Sequence, residues 1–477
     1  MRRACSKSVL FTLIVLFTCI ALAVQAQEKT EKPARADREV SEKLITKIDP
    51  ETLTVIWNSM VVSPDGRRFA LVAHVRGIKQ VMIVDGKGQK QYENLWGACF
   101  SPDSKRVAYR ADTGDKCLMV VDGEEGKKYD DADLGVVFSP DSKSVAYSAK
   151  ADGKRFVVVN GKEGKQYDYV SKPKFSPDSK QVAYYAQEGE KWLVVTNEVE
   201  GKKYDRVRDP VFSPDSGRLA YKANANNKWL IVVDGKEGKE YDDIYDEPRF
   251  SPDSKHIGYA ANAGDKWFIV IDGKGEKQYD FATFPFFSPD SKRLAYVANI
   301  GGKFVSGLRV EGGKWVIVVD GNEGKPYDGF GFPGFSPDSK RVAHTAGVSK
   351  YKWCVVVDGN EGKQYNRVTY YGMPPEFSPD SKHFAYSAEE WGESFVVVDG
   401  EEGKRYDSVL GMDFFSPDSK HVAYKAEANG ERFVVVDGTE GKHYDKVSGK
   451  IIFESSDTFH YFAIKDKGVY FVEEKLK

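Results

Sequence analysis

Phe100-Ser101-Pro102-Asp103-Ser104-Lys105-Arg106-Val107-Ala108-Tyr109 is the phrase from which most of the chain is built. Ser-Pro-Asp returns at Ser63, Ser101, Ser139, Ser176, Ser213, Ser251, Ser288, Ser336, Ser378 and Ser416, and a worn copy at Ser455 keeps the frame without the proline. Successive copies lie 38, 38, 37, 37, 38, 37, 48, 42, 38 and 39 residues apart. A fixed period near 40 residues marks an array of one supersecondary unit, each copy packing on its neighbours.

One unit reads as four short strands. Ala98-Cys99-Phe100 is an apolar run that ends at the Ser-Pro-Asp turn, where proline sets φ and the Ser and Asp side chains can bond nearby amides. Arg106 to Tyr109 is a second strand, and Cys117 to Val121 a third, nearly continuous in apolar residues, as a strand covered on both faces should be. Asp122-Gly123 opens a tight connection, closed by Gly126, and Lys128-Tyr129-Asp130 reads as a short outer strand. No window carries a helical stripe. The expected fold is therefore all-β, a β-propeller of about eleven four-stranded antiparallel blades. The entering segment Leu53 to Trp57 sits in the frame of an outer strand. It is expected to complete the blade that ends in the third strand Val469 to Val472, which would remove two sheet edges. Evenly spaced links favour one wide ring; the usual four to eight blades favour two rings, such as six and five. One ring is the preferred reading.

The repeat Phe-Ser-Pro-Asp-Ser-Lys-x-Val-Ala-Tyr resembles that of the bacterial TolB-type, WD-repeat-like propellers, over residues 50 to 477 and with ten in-frame matches. The resemblance implies a propeller and an exported protein. In that family glycine usually follows the Asp. Here Gly66 keeps it, whereas Ser104, Ser142, Ser179, Ser216, Ser254, Ser291, Ser339, Ser381 and Ser419 do not. A left-handed serine would cost on the order of 1 kcal/mol relative to glycine, so the turn either avoids that region or accepts the cost. No TolB-like amino-terminal domain is legible, and the role of TolB is not implied.

Residues 1–26 read as a secretory signal: Arg2, Arg3 and Lys7 precede an apolar run from Val9 to Val24, and Val24-Gln25-Ala26 offers a cleavage site. The run is short for a bilayer span, so cleavage and export to the periplasm or medium are expected, with no membrane insertion afterwards; an uncleaved anchor is the alternative. Residues 27–46 read as a polar tether and 47–477 as the repeat array. Cleavage leaves 67 basic residues against 72 acidic ones, a net −5 with both signs interspersed, which offers no nucleic-acid groove. Cys99, Cys117 and Cys354 form no disulfide framework and read as buried thiols.

Recurrence separates scaffold from candidates. Ser-Pro-Asp-Ser-Lys and Asp-Gly-x-Glu-Gly-Lys share one end of the blades and barely change; turn chemistry explains them. His256, His383 and His421 occupy one slot a blade apart and read as exposed polar positions, not metal ligands, while His344 replaces a second-strand tyrosine. The opposite end varies. Insertions fall at residues 299–313 and 347–352, and the link around 369–376 is extended. Phe284, Phe330, Phe332, Tyr370, Tyr371 and Trp391 cluster in the same neighbouring blades, either as anchors for a partner or as local packing. Trp192, Trp229, Trp267, Trp315 and Trp353 share one repeat position and are expected in the core.

No catalytic, metal or cofactor residues are proposed: no GxSxG elbow or Ser–His–acid set stands out, and no phosphate, haem or calcium motif occurs. A polysaccharide-processing site would draw on Asp246, Glu247, Glu376 and Tyr371, which no motif selects. The expected function is an exported, non-catalytic platform that binds a protein partner. A carbohydrate-binding or carbohydrate-cleaving propeller and a purely structural envelope component are the alternatives.

Overall fold

Each Ser-Pro-Asp-Ser turn is held by its own side chains. Ser101 Oγ donates to Asp103 Oδ1 at 2.6 Å and accepts from the Arg106 amide at 3.0 Å, while Asp103 Oδ1 takes the Lys105 amide at 3.1 Å. These hydrogen bonds, from Ser101 first, hold the Asp103 carboxyl below its ordinary value. The hairpin at the other side of the same blade end is equally local. Asp122 and Gly123, at φ 55° and 88°, form the two-residue turn, and Asp122 Oδ1 accepts the Val107 amide at 2.9 Å.

The computed structural model describes residues 38–49, 51–75, 79–133, 135–369, 372–411 and 414–477. They form eleven antiparallel sheets, one per repeat, with no helix among the described residues. Blade 2 is the pattern: Asn94–Phe100, Val107–Thr113, Lys116–Val121 and Glu124–Glu125 pair in that order. The first strand of each blade is innermost, because first strands of adjacent blades approach one another (blades 5 and 6, and 6 and 7). An ion pair of 3.4 Å even joins Lys174 of blade 4 to Glu247 of blade 6 across the first strand of blade 5. In blades 3, 4, 8 and 9 the first strand is broken in two.

Eleven apolar clusters occupy the eleven boundaries between successive blades, including the one between blades 11 and 1. The chain is thus one closed ring of eleven blades. An outer-strand tyrosine is the wedge at every boundary but the one between blades 11 and 1: Tyr129 bridges to Cys117 of its own blade and sets its ring edge-on against Tyr147, 6.3 Å away, and Phe156, 5.6 Å away, in the next. Such edge-to-face pairs contribute about 0.5–1.5 kcal/mol beyond burial.

Closure differs from the expectation. Leu53–Val62 is the innermost strand of blade 1 and pairs with Phe69–Val75. The strand that completes blade 11 is Arg38–Lys47, paired with Gly468–Leu476. Residues 38–46, read as tether, therefore belong to the ring, and residues 1–37 lie outside the described residues. The misreading has a physical cause: an edge strand with one solvent face is polar by necessity, and this one exposes most of its residues. The outer strands also run earlier than read, as Glu124–Glu125 followed by a lone bridge at Tyr129.

The serines at the glycine position do adopt the left-handed region, at φ 63–67°. Each offers its hydroxyl to the preceding blade. The Asp65 amide donates to Ser104 Oγ at 3.0 Å, the Asp103 amide to Ser142 at 2.9 Å, and the pattern continues to Asp380 and Ser419, nine links in all. A hydrogen bond of about 0.5–1.5 kcal/mol offsets the conformational cost of about 1 kcal/mol. At the seam the preceding turn is Ser455-Ser456-Asp457, and the link there runs from His460 Nε2 to the Asp65 carbonyl at 2.8 Å. Gly66 is needed because a Cβ would come within 2.8 Å of His460 Nε2 and of Ile452 Cγ1.

Cys99, Cys117 and Cys354 are free thiols; burial pushes Cys99 and Cys354 up to about 11.

Candidate functional site

The two departures from the repeat length build one groove. The 48-residue step contains a long hairpin in blade 7, Leu294–Ser306 against Arg309–Val319. Near its tip, Phe304 stacks on Phe281 of its own blade at 5.0 Å and meets Trp267 of blade 6 edge-on at 5.0 Å, so the insertion is pinned against the neighbouring blade. Its tip keeps Val305 and Leu308 exposed. The 42-residue step supplies the longer hairpin of blade 8, Val342–Ser349 and Lys352–Val357, and the extended link into blade 9.

Between them lies a groove of about 780 Å³. Phe330, Phe332 and Trp353 form its apolar side, with Leu308 and Tyr351 at the rim. Thr345, Lys350, Asn366 and Arg367 supply the polar groups, and the wall continues through Val368, Thr369 and Gly372. The local sequence explains the opening. Gly329 faces Gly347 across the sheet, which lets the Trp353 ring lie over that pair; a Cβ at Gly329 would meet its edge at 2.8 Å. Any side chain at Gly331 would collide with Thr345 Oγ1. The Phe332 amide donates to the Gly372 carbonyl at 2.8 Å and ties the walls together.

Thr345 Oγ1 is fully buried and has no hydrogen-bond partner among the described residues. Arg367 Nη1 is 3.4 Å from Glu389, and Lys350 sits over the Tyr351 ring at 5.1 Å. None of the lining residues is a carboxylate, among the described residues. The groove is therefore apolar on its floor and cationic at its edge.

The residues singled out from sequence distribute unevenly. Phe330 and Phe332 line the groove. Phe330 also packs on Trp315 at 4.2 Å, so binding surface and local core share one ring. Phe284 backs Phe332 from the inner strand of blade 7, 4.9 Å away, and carries the Arg249 guanidinium on its other contacts at 5.4 Å. Trp391 does not line the groove. It stands 84% exposed at φ 57° on the blade 9 hairpin, its amide held at 3.1 Å by Asn366 Oδ1 of the groove wall. Tyr370 and Tyr371 lie outside the described residues. Of the five tryptophans at one repeat position, Trp267 and Trp315 are buried as expected, whereas Trp192, Trp229 and Trp353 are only partly buried, Trp353 at the groove. Tyr351, 67% exposed, and Leu308 were not singled out, although both fall in or beside insertions.

The candidate acids do not converge. Asp246 pairs with Arg249 at 3.8 Å and Glu247 with Lys174, whereas Glu376 accepts the Phe414 amide at 3.2 Å as a structural contact between blades 9 and 10. His256, His383 and His421 each meet the Asp of their own hairpin at 2.6–2.7 Å. No group of three or more His, Cys, Asp or Glu able to hold a metal occurs among the described residues. His344 fills the tyrosine position beside Tyr327, 6.2 Å away, and burial pulls it down to about 4.

No protein-family model matches this chain, and no curated protein matches it. Among solved structures it is similar to a eukaryotic initiation factor at 14% identity, over 67% of this chain and 89% of that one, with a TM-score of 0.38. TolB from Acinetobacter baumannii matches at 18% identity over 47% and 61%, with a TM-score of 0.26. The β-propeller domain of the Trilobed protease from Pyrococcus furiosus, described as having an open velcro topology, matches at 16% over 58% and 97%, with a TM-score of 0.28. At these values no residue role carries across. The TolB-type resemblance rests on the repeat itself.

Proposed function

We propose that this protein is an exported, non-catalytic binding platform, and that the groove across blades 7 to 9 receives an apolar segment of a protein partner. The observation that carries the reading is the coincidence of both repeat-length departures with an aromatic groove edged by exposed side chains. Variable loops on a rigid scaffold are where such folds place recognition. Large aromatic residues in a partly enclosed site are typical interface anchors. Buried Thr345 Oγ1, without a partner among the described residues, could bond the occupant, and Lys350 and Arg367 favour one with an acidic group beside its apolar part. Export is supported by the basic start, apolar run and small-residue site in residues 1–26. The flat rings of Phe330 and Trp353 beside Asn366 would also suit a sugar face, so carbohydrate is the second reading.

A photo-crosslinking side chain placed at Tyr351, and as a control at Lys143 on the repeated-turn face, tests the reading in envelope extract. A protein captured from Tyr351 alone, and lost on Phe332→Ser, is the expected outcome. Equal capture from both positions would refute the groove. Binding to a glycan array that Phe332→Ser abolishes would transfer the site to carbohydrate.

A further inference from the structure

The repeats contain a slot whose occupant can be read from ten copies. It closes the first turn, at the residue whose amide bonds the turn serine, and holds Arg68, Arg106, Ser144, Gln181, Arg218, His256, Arg293, Arg341, His383 and His421. The hairpin residue facing it varies in step: Asp85, Asp122, Asn160, Asn197, Asp234, Asp272, Asp320, Asp358, Asp399 and Asp437. Arg and His slots face Asp, and the Ser and Gln slots face Asn, without exception.

In the arginine blades the guanidinium is a latch onto the next blade. Arg106 meets Asp122 at 2.8 Å, donates to the Ser142 and Lys143 carbonyls at 3.2 and 2.8 Å, and lies over the Phe138 ring at 5.3 Å. Arg218, Arg293 and Arg341 repeat this on Phe250, Phe335 and Phe377. Gln181 is shorter but still reaches the Ser216 carbonyl at 3.1 Å.

Blade 3 has Ser144, which reaches only Asn160 Nδ2, at 3.1 Å. The space an arginine would fill is left as a crevice of about 630 Å³ between blades 3 and 4. Its lining includes Phe175, Ser179 and Lys180, the counterparts of the ring and of the two carbonyl donors' acceptors in the latched blades. Among the described residues neither the Ser179 nor the Lys180 carbonyl takes a hydrogen bond from blade 3. Glu198 stands at the rim, 3.0 Å from Lys162. Lysines at these positions do not exclude a guanidinium: Arg218 sits between their counterparts Lys236 and Lys255.

We propose that this crevice binds an arginine side chain carried by a partner polypeptide, which completes from outside the latch that blade 3 lacks. The chemistry is a planar cation over an aromatic ring, with two carbonyls aligned for its fork. Lysine never occupies the slot in any copy, which fits recognition of the fork rather than of charge alone. The crevice lies four blades from the groove and does not depend on its role.

The test titrates full-length protein with acetyl-Gly-Arg-Gly-amide and its citrulline and lysine counterparts, read by saturation-transfer NMR and calorimetry. The arginine peptide is expected to bind at least tenfold more tightly than either counterpart. Ser144→Arg with Asn160→Asp, which installs the internal latch, should weaken that binding at least tenfold without lowering the thermal midpoint. Ser144→Gln copies the blade 4 arrangement and should weaken it as well, which keeps the test decisive if the double variant misfolds. Equal binding of the three peptides, or binding undiminished when the slot is filled, overturns the proposal.

Discussion

Replacing Glu474 by Ala should unzip the ring at its seam. Arg38, on the strand that completes blade 11, pairs with Glu474 at 3.0 Å, with side-chain exposures of only 5% and 0%. The same carboxylate accepts the Tyr461 hydroxyl at 2.6 Å, and Arg38 also donates to the Val434 and Thr439 carbonyls of blade 10. Removing the acid leaves a buried guanidinium uncompensated and a buried phenol unpaired. Breaking such a pair from one side costs about 3–5 kcal/mol. That loss falls on the 38–47 strand, whose other tie to its neighbour blade is the Lys442–Glu42–Tyr444 contact. At about 1.4 kcal/mol per factor of ten, hydrogen exchange of amides in residues 38–47 should accelerate more than a hundredfold, while blades 3 to 6 stay protected. The double change Arg38→Met with Glu474→Leu, which removes both charges, should recover most of the protection. Acceleration below tenfold in the single variant, or equal acceleration around the whole ring, would refute the assignment of the seam to this buried pair.

Gly66→Ser should destabilise the junction of blades 11 and 1 by more than about 2 kcal/mol, through the collision with His460 and Ile452 and the cost of left-handed serine. Ser254→Gly, which loses one hydrogen bond and relieves that cost, should change stability by less than about 1 kcal/mol; urea unfolding of the pair checks the contrast. For His344 the folded value of about 4 lies below the ordinary 6.5, so the unfolded chain binds the proton more readily. Stability is then greatest above pH 6.5 and falls as the pH drops toward 4, by about 2–3 kcal/mol, and His344→Tyr should flatten that slope in the difference between the two pH profiles. The turn aspartates act lower: Asp253 and Asp380 are held at about 2, first by hydrogen bonds from Ser251 and Ser378, so their contribution is lost between about pH 4 and 2.

The fold was legible because its determinants are local and repeated. Ser101, Asp103 and Asp122 close their turns within their own blade, and ten copies multiply the signal. What the sequence hid is what acts between blades. The reason for serine at position 104 is an amide 39 residues away in Asp65, and the reason for glycine at position 66 is His460 across the seam. Arg38–Lys47 escaped because an outer strand's hydrogen bonds leave no apolar alternation to read. Of the candidate groove, the insertions lie in the blades that build it, and Phe330 and Phe332, singled out by their aromaticity, are among its lining residues. The shared tryptophan position was misjudged because apolar character alone does not bury a ring at the end of a strand: Trp192, Trp229 and Trp353 stay partly exposed, and Trp353 lies over the glycines at 329 and 347.

The pairing of Arg38 with Leu476 sets an order of events for the molecule's birth. Ten blades can form behind the emerging chain as each is completed, but the eleventh waits for a strand made more than four hundred residues earlier. Closing so large a circuit costs only about 2 kcal/mol more chain entropy than closing one blade, because the penalty grows logarithmically. The delay matters more than the energy. Until the circuit closes, the open edges of Gly468–Leu476 and of the early strand are each a template for some other chain. A nascent molecule therefore spends its most vulnerable interval nearly finished rather than half made.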